Sequence, residues 1–395
     1  MTASRRILWP AIFVLAVTVD AAILTRGRVI LGWVFGRHGR FDSAAPGRPA
    51  PPIEQRVRER VFGVAAGSDG ALYLRTEKAL RARDASGAER WSHPTTVSDA
   101  PYPFVAPDGT VLAADRDGLT ALTPDGGVKW HLEPRQLRGP TGDERINEIA
   151  IATDGTIYAA GWTLRAITAD GRVAWTFGVP IGMVTSVAVA PDGTVLAGGM
   201  DLHALRPDGT VKWKVERAWA GGFAIAPDGT VYWVYNFYPD RDRRLMAVGP
   251  DGVKKWELRL ERDGRRPAIG PDGTIYVAAG PLYAVAPTGQ VRWMFRPTTE
   301  LEAPVVLAAN GRIYTGRAVE LFAVDARGAL AWTARAPTDF AELKFFLAPD
   351  PAVPLYAING AELFEVRDDP RGPLTAPWPQ PGRDPGHTGS AQVPR

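Results

Sequence analysis

The sequence contains no cysteine and little histidine or methionine, 5 of each in 395 residues. The absence of cysteine excludes disulfides, thiolate metal ligands and a lipid-modified cysteine anchor. The histidines fall at unrelated places and lack the spacing of metal ligands, so we predict no metal site. They are His38, His93, His131, His203 and His387.

Strong charge asymmetry and nucleotide-binding motifs are also missing. The formal net charge is +3, and the arginines are spread along the chain, which gives nucleic-acid binding no support. No Gly-x-Ser-x-Gly elbow, phosphate-binding loop or dinucleotide fingerprint is present. The hydrophobic content of 45% nevertheless allows a large core.

What the sequence does contain is a repeat of about forty residues, a period typical of a β-propeller. Each unit has an Asp-Gly or Asn-Gly turn, short apolar runs, a second glycine turn and a tryptophan. The first turns are Asp69-Gly70, Asp108-Gly109, Asp154-Gly155, Asp192-Gly193, Asp228-Gly229, Asp272-Gly273 and Asn310-Gly311. The tryptophans are Trp91, Trp130, Trp175, Trp213, Trp256, Trp293 and Trp332.

One unit, residues 266–295, indicates how a repeat becomes a blade. The Asp272-Gly273 turn joins two apolar runs, and the Thr288-Gly289 turn joins two more, the last of which contains Trp293. Asp-Gly between β-branched runs is a strong hairpin signal, because the turn that matches strand twist needs positive φ. Each unit is therefore predicted to be a four-stranded antiparallel blade with strands A to D.

The repeat predicts an all-β, eight-bladed propeller over residues 54–375, with seven blades as the alternative. The eighth unit is incomplete, because its fourth strand would contain Pro373 and Pro377 and proline cannot donate to a sheet ladder. The segment from Ile53 to Val61 has better strand character, and we expect it to close the ring by pairing with the last blade. Residues 376–395 form a C-terminal tail.

The repeat resembles that of the pyrroloquinoline-quinone-like (PQQ-like) β-propellers. The resemblance rests on the second half of each unit, for example from Leu282 to Trp293, where Leu-Tyr-Ala-Val is followed by Gly-x-Val-x-Trp. The tail segment from Trp378 to Gly389 is similar to a Trp-Pro…Asp…Thr-Gly segment that often flanks this repeat.

Catalytic members of that family hold their quinone between a tryptophan and a vicinal disulfide, beside a Ca²⁺ ion. This chain has no cysteine, and no asparagine matches a calcium ligand of the family. These departures from the catalytic members indicate that no cofactor is bound. The chain therefore resembles the non-catalytic branch of the family, which includes the propeller scaffold protein of the outer-membrane β-barrel assembly machinery.

The turn aspartates and the repeated tryptophans are expected to have structural roles. An aspartate tolerates the left-handed backbone and accepts hydrogen bonds from its own turn. A ring of such aspartates that binds calcium or repels anions is the alternative. The constant spacing of the seven tryptophans indicates that they dock neighbouring blades against one another.

The one long apolar run, from Ile7 to Leu24, follows Arg5-Arg6 and is long enough to cross a bilayer. We predict that residues 1–36 are an uncleaved membrane anchor, with a cleaved signal segment as the alternative, and that residues 37–53 are a flexible linker. Arginines flank the run on both sides and leave its orientation open. The resemblance implies a propeller outside the cytoplasm, on the periplasmic side of a bacterial inner membrane.

Variation in loop length indicates where a partner would bind. The A–B and C–D turns open on one face, the turn face, and are short and uniform. The B–C and D–A connections open on the other, the loop face, and vary in length; the D–A connection from His131 to Glu148 is expanded. An expanded B–C loop in the fifth blade has the aromatic and arginine content of interface anchors. Its candidate partner-binding residues are Tyr235, Asn236, Phe237, Tyr238, Arg241, Arg243 and Arg244.

Two functions remain for testing. We favour a non-enzymatic, membrane-tethered propeller outside the cytoplasm that acts as a scaffold for another protein or an envelope polymer, with no nucleic-acid partner. The alternative is a PQQ- or metal-dependent oxidoreductase, which would require carboxylates that converge on the central channel.

Overall fold

The computed structural model describes most of the repeat region. It covers residues 42–43, 53–57, 59–84, 86–96, 102–137, 146–179, 182–216, 219–237, 242–308, 310–317, 320–335, 343–347, 355–359, 362–366, 368, 380 and 390–391. The apolar run from Ile7 to Leu24 lies outside these residues, so the anchor stays a prediction. Within the described ranges, no helix combines the length and apolar character needed to cross a membrane.

The described residues form eight antiparallel sheets. Six are built from four consecutive strands, and the last two each add a strand that precedes blade 1 in the chain. Blade 1 comprises β3 Val61–Ala66, β4 Leu72–Thr76, β5 Ala79–Arg83 and β6 Glu89–Pro94, and blade 2 comprises β7 Phe104–Val105, β8 Val111–Asp115, β9 Gly118–Leu122 and β10 Val128–Leu132. Blade 3 comprises β11 Glu148–Ile151, β12 Ile157–Ala160, β13 Thr163–Ile167 and β14 Val173–Gly178, and blade 4 comprises β15 Ser186–Val189, β16 Val195–Gly198, β17 Leu202–Leu205 and β18 Val211–Val215. A 3₁₀ helix, Pro134–Leu137, follows β10.

The other four blades complete the propeller. Blade 5 comprises β19 Trp219–Ile225, β20 Val231–Phe237, β21 Asp242–Val248 and β22 Lys254–Arg259, and blade 6 comprises β23 Ala268–Ile269, β24 Ile275–Ala278, β25 Leu282–Val285 and β26 Val291–Phe295. Blade 7 comprises β27 Val306–Leu307, β28 Ile313–Arg317, β29 Glu320–Val324 and β30 Leu330–Arg335, with β1 Asp42–Ser43 added. Blade 8 comprises β31 Leu343–Leu347, β32 Leu355–Asn359 and β33 Glu362–Val366, with β2 Ile53–Val57 added. Eight blades agree with the preferred count from the sequence.

Burial changes from the middle of a blade to its outer edge. In blade 3, β12 and β13 are buried at every position, because both faces of the sheet are covered by neighbouring blades. The outermost strand, β14, alternates between exposed and half-buried residues. The apolar core therefore lies between successive blades, and the first strands of the blades surround the central channel.

Both ends of the repeat region contribute to the closure of the ring. Strand β2 pairs with β33, with Ile53 opposite Val366, and replaces the proline-containing segment as the fourth strand of blade 8. Blade 8 then packs on blade 1, where Ile358 and Leu363 contact Val61. The sequence indicated this pairing, although the strand ends at Val57, and Val61 already begins β3. Strand β1 adds a fifth strand to blade 7 beside β30.

The repeated tryptophans reach from one blade to the next. The indole nitrogen of Trp91 donates a hydrogen bond to the backbone oxygen of Pro124, in the C–D turn of blade 2, over 2.8 Å. The same bond is made by five others: Trp130 to Ala169, Trp175 to Pro207, Trp213 to Pro250, Trp256 to Pro287 and Trp293 to Ala326. These six side chains are only half-buried, because they lie on the outer strands.

The glycine of each receiving turn packs on the indole ring. Gly126 has a φ of 90°, and a Cβ atom there would lie 2.7 Å from Trp91. Gly87, in the C–D turn of blade 1, has a φ of 89° but no atom within 4 Å of such a Cβ. Within the described part of the chain, blade 1 receives no tryptophan, because the outer strand of blade 8 is β2, which contains none.

This pair of glycines separates backbone strain from tryptophan docking. We expect Gly87→Ala to cost about 1 kcal/mol, because alanine is strained at positive φ. Gly126→Ala should cost a further ~1 to 3 kcal/mol, because Trp91 must also move. Urea unfolding of the two variants measures the difference, and equal midpoints would show that the docked indole adds nothing to stability.

Candidate interaction surface

The hairpin of blade 5 is longer than its counterparts. Strands β20 and β21 have 7 residues each, whereas β24 and β25 of the next blade have 4. The prediction that residues 235–244 form one expanded loop is therefore wrong in extent. Tyr235, Asn236 and Phe237 end β20, and Arg243 and Arg244 lie in β21, opposite Asn236 and Tyr235. The alternation of apolar and polar residues continues through this segment, so the strands extend. Tyr238 and Arg241 lie outside the described residues.

Tyr235 supports the hairpin from inside and is not an exposed anchor. Its side chain is buried, its ring lies 5.5 Å from that of Trp233, and its hydroxyl donates to the Glu257 carboxylate at 3.5 Å. Burial and the neighbouring Glu257 charge raise the pKa of Tyr235 to about 12. It remains a neutral hydrogen-bond donor under all physiological conditions.

The two arginines of β21 are held by carboxylates. Arg244 donates to Asp242 at 2.7 Å and also pairs with Glu257. Arg243 pairs with Asp263, in the connection that follows blade 5. Both side chains are thus fixed at the loop face in defined directions.

A groove opens beside the hairpin on the loop face, where blade 5 meets blade 6 and blade 6 meets blade 7. It has a volume of about 280 Å³ and is lined by both D–A connections. Arg296 donates to Glu261 at 2.8 Å, and Arg262 donates to Glu300 at 2.8 Å. The backbone of Leu301 exchanges two hydrogen bonds with Gly280, which fixes one wall. The groove therefore presents alternating guanidinium and carboxylate groups on a braced backbone.

Glu261 connects this groove to the hairpin. It also lines a second depression of about 440 Å³, which contains Arg243, Tyr283 and Met294. The groove was not predicted from the sequence, because only the composition of the longest B–C loop was used to choose candidate residues. The signal was present: the connections at residues 259–266 and 296–302 are dense in arginine and glutamate. We call residues 235–237 and 242–244 of the hairpin, together with the groove, the blade 5–7 surface.

The turn aspartates act within their own turns. Thr110 donates its backbone and hydroxyl hydrogens to Asp108, each at 2.9 Å, and Lys129 reaches the same carboxylate at 3.2 Å. Burial alone would raise the pKa of Asp108, but these bonds and the lysine charge lower it. Asp192 and Asp272 are held by equivalent bonds. Among the described residues, no group of three histidine or acidic side chains is placed to hold a metal ion.

The central channel is crossed by an ion pair. Glu148 begins the first strand of blade 3, and Arg266 precedes the first strand of blade 6, yet their side chains form a bidentate pair. Burial alone would lower the pKa of Arg266, but the Glu148 carboxylate raises it. A Cβ atom at Gly222, in the bulge of β19, would overlap the aliphatic part of Arg266. The expanded connection after Trp130 thus ends in a channel residue.

A second buried carboxylate lies between blades 7 and 8. Asp368 accepts hydrogen bonds from the Tyr314 hydroxyl at 2.9 Å and the Trp332 indole nitrogen at 2.8 Å. Burial and the Asp368 charge raise the pKa of Tyr314. Trp332 is therefore held by a side chain, whereas the other six tryptophans bond to a backbone oxygen. It is also the one of the seven that is fully buried.

The eight sheets define the class of protein as an eight-bladed β-propeller. Three solved propellers are similar in fold. BamB from Moraxella catarrhalis has a TM-score of 0.62 at 16% identity, over 80% of this chain and 100% of that one. The C-terminal WD40 domain of Sif2 has a TM-score of 0.65 at 9% identity, over 80% and 98%. Virginiamycin B lyase from Staphylococcus aureus has a TM-score of 0.50 at 10% identity, over 73% and 99%.

These likenesses establish the fold alone, because propellers with unrelated functions share it. No family model matches the chain. No curated protein matches it either.

Proposed function

We propose that this chain is a non-enzymatic propeller scaffold that binds another protein, or an envelope polymer, through the blade 5–7 surface. The observation that carries the proposal is the fixed array of arginines and carboxylates beside an extended hairpin. Arginines held by carboxylates lose little side-chain freedom on binding, and the sequence offers Phe237 and Tyr238 as candidate apolar contacts. A partner with alternating charges fits such an array.

We also propose that the propeller is tethered to a membrane, outside the cytoplasm. The support for this part is the apolar run from Ile7 to Leu24 and the resemblance of the repeats to PQQ-like propellers. The resemblance to the non-catalytic branch, together with the absence of cysteine, supports a role without a cofactor.

The test compares the two faces of the propeller. One variant, Arg262→Ala with Arg296→Ala, removes two half-exposed arginines from the groove, and its matched control, Arg172→Ala with Arg292→Ala, removes two paired arginines from the turn face. We expect both variants to unfold within about 1 kcal/mol of the wild type, because exposed ion pairs contribute little. After crosslinking in membranes and co-purification, only the groove variant should lose at least tenfold in partner recovery.

A third variant tests the hairpin tip by changing Phe237, Tyr238 and Arg241 to serine. It should reduce the recovery of the same partner with little change in thermal stability, because the sequence predicts an exposed segment there and substitutions in such segments have small effects on folding. If the turn-face control loses the partner while the groove and hairpin variants retain it, the proposed binding face is wrong. Recovery that is equal in all variants would contradict the proposal as well.

A further inference from the structure

The C-terminal tail reaches the innermost strand of blade 4. The backbone nitrogen of Ala391 donates a hydrogen bond to the Val189 oxygen at 2.6 Å, and Ser390 forms a parallel bridge with Val189. Ser390 and Ala391 are 4% and 9% exposed. Gln380, earlier in the same tail, is fully buried. The tail is therefore packed inside the protein at these points.

The position on blade 4 is a strand edge. Strand β15 pairs with β16 on one side, and the other side faces the channel. The amide of Ala190 donates to Thr194 of the blade, so by alternation the amide of Val189 points to the channel edge. An edge of this kind presents unpaired backbone groups that recruit an additional strand.

Side-chain size explains why Ser390 and Ala391 fit this edge. Ala391 packs in the apolar cluster that includes Ala188, Ala190 and Phe223, where the first strands of blades 4 and 5 approach each other. Because Ala391 is buried in this cluster, a larger side chain would have to displace these residues. Blade 4 is also half-way round the ring from blade 8, after which the tail begins.

We propose that the channel edge of β15 is a peptide-binding site that the chain fills with its own residues 390–391. The ligand it takes is an extended segment with small side chains, bound by strand addition through backbone hydrogen bonds. This site is separate from the blade 5–7 surface, and the inference goes beyond the proposed scaffold function. It can be tested with purified protein alone, so its failure would leave the partner experiment untouched.

The first test uses two changes at one position of the full chain. Ala391→Pro removes the donor amide, whereas Ala391→Gly keeps it and removes only a methyl group. We expect hydrogen exchange at the Val189 amide to accelerate at least tenfold in the proline variant and less than threefold in the glycine variant. Unchanged exchange in both variants, or equal acceleration in both, would overturn strand addition.

The second test supplies the ligand in trans. A chain that ends at residue 384 should bind a fluorescent peptide of residues 385–395, measured by anisotropy, and the full chain should bind it at least tenfold more weakly because its site is filled. A scrambled peptide and one N-methylated at Ala391 should each bind the shortened chain at least tenfold more weakly. Equal binding of the N-methylated peptide, or no binding to a folded shortened chain, would overturn the proposal. If the shortened chain does not fold, the comparison of Ala391→Pro with Ala391→Gly in the full chain decides whether the proposal holds.

Discussion

Replacing Arg266 with alanine should lower the free energy of unfolding by about 3 to 5 kcal/mol, because it leaves the Glu148 carboxylate buried without its partner. The Glu148 and Arg266 side chains are 11% and 28% exposed, so water replaces little of the lost interaction. Urea denaturation followed by tryptophan fluorescence would measure the loss.

A double-mutant cycle separates the pair from the rest of the channel. The variant in which Glu148→Ala and Arg266→Ala are combined should be more stable than Arg266→Ala alone, because no unpaired charge then remains. The control is Arg296→Ala, which breaks an exposed pair on the loop face and should cost less than about 1 kcal/mol. Strict additivity of the two channel changes would show that the ion pair is not coupled.

Trp332→Ala should cost about 3 to 5 kcal/mol, and Trp213→Ala only about 2 kcal/mol. The repeats alone predict the same loss for every tryptophan, but the structure distinguishes them. Trp332 is fully buried and bonds to the Asp368 carboxylate, whereas Trp213 is half-buried on an outer strand. Thermal and urea unfolding of both variants would rank them.

Asp368→Asn is the companion change, because an amide oxygen can still accept from Tyr314 and Trp332 while the negative charge is lost. We expect its destabilisation to be smaller than that of Trp332→Ala. Equal losses for Trp332→Ala and Trp213→Ala would contradict the distinction drawn from burial.

The fold could be predicted because its signals are local and repeated. A turn such as Asp228-Gly229 needs only its own residues: Gly229 has a φ of 79°, and Asp228 accepts from the Thr230 amide at 2.9 Å. Seven such turns at a period of about forty residues identify the blades without any knowledge of long-range contacts. The pairing of β2 with the last blade could also be predicted, because Pro373 and Pro377 make the segment after β33 a poor fourth strand.

The candidate surface was harder to predict, because its geometry depends on contacts between distant residues. In the groove, Arg262 and Glu300 are separated by 38 positions, and neither belongs to a motif. The hairpin of blade 5 was located correctly, but its polar residues were assigned to a loop because composition does not fix where a strand ends. Tyr235 bonds to Glu257, which lies 22 positions away on another strand, and the repeat period alone does not place these residues together.

Each repeated tryptophan bonds to the blade that follows it, which gives the ring a direction and one distinct junction, the seam between blades 8 and 1. Among the described residues, each of blades 2 to 8 accepts an indole hydrogen bond from the blade before it. No such bond joins blade 8 to blade 1 in this part of the chain, and no described atom lies within 4 Å of a Cβ placed on Gly87. The junction is held by strand β2 and by the contacts of Val61 with Ile358 and Leu363. Heating or force should therefore part the ring at this seam first, and the blades would then be lost in sequence from the two chain ends inward.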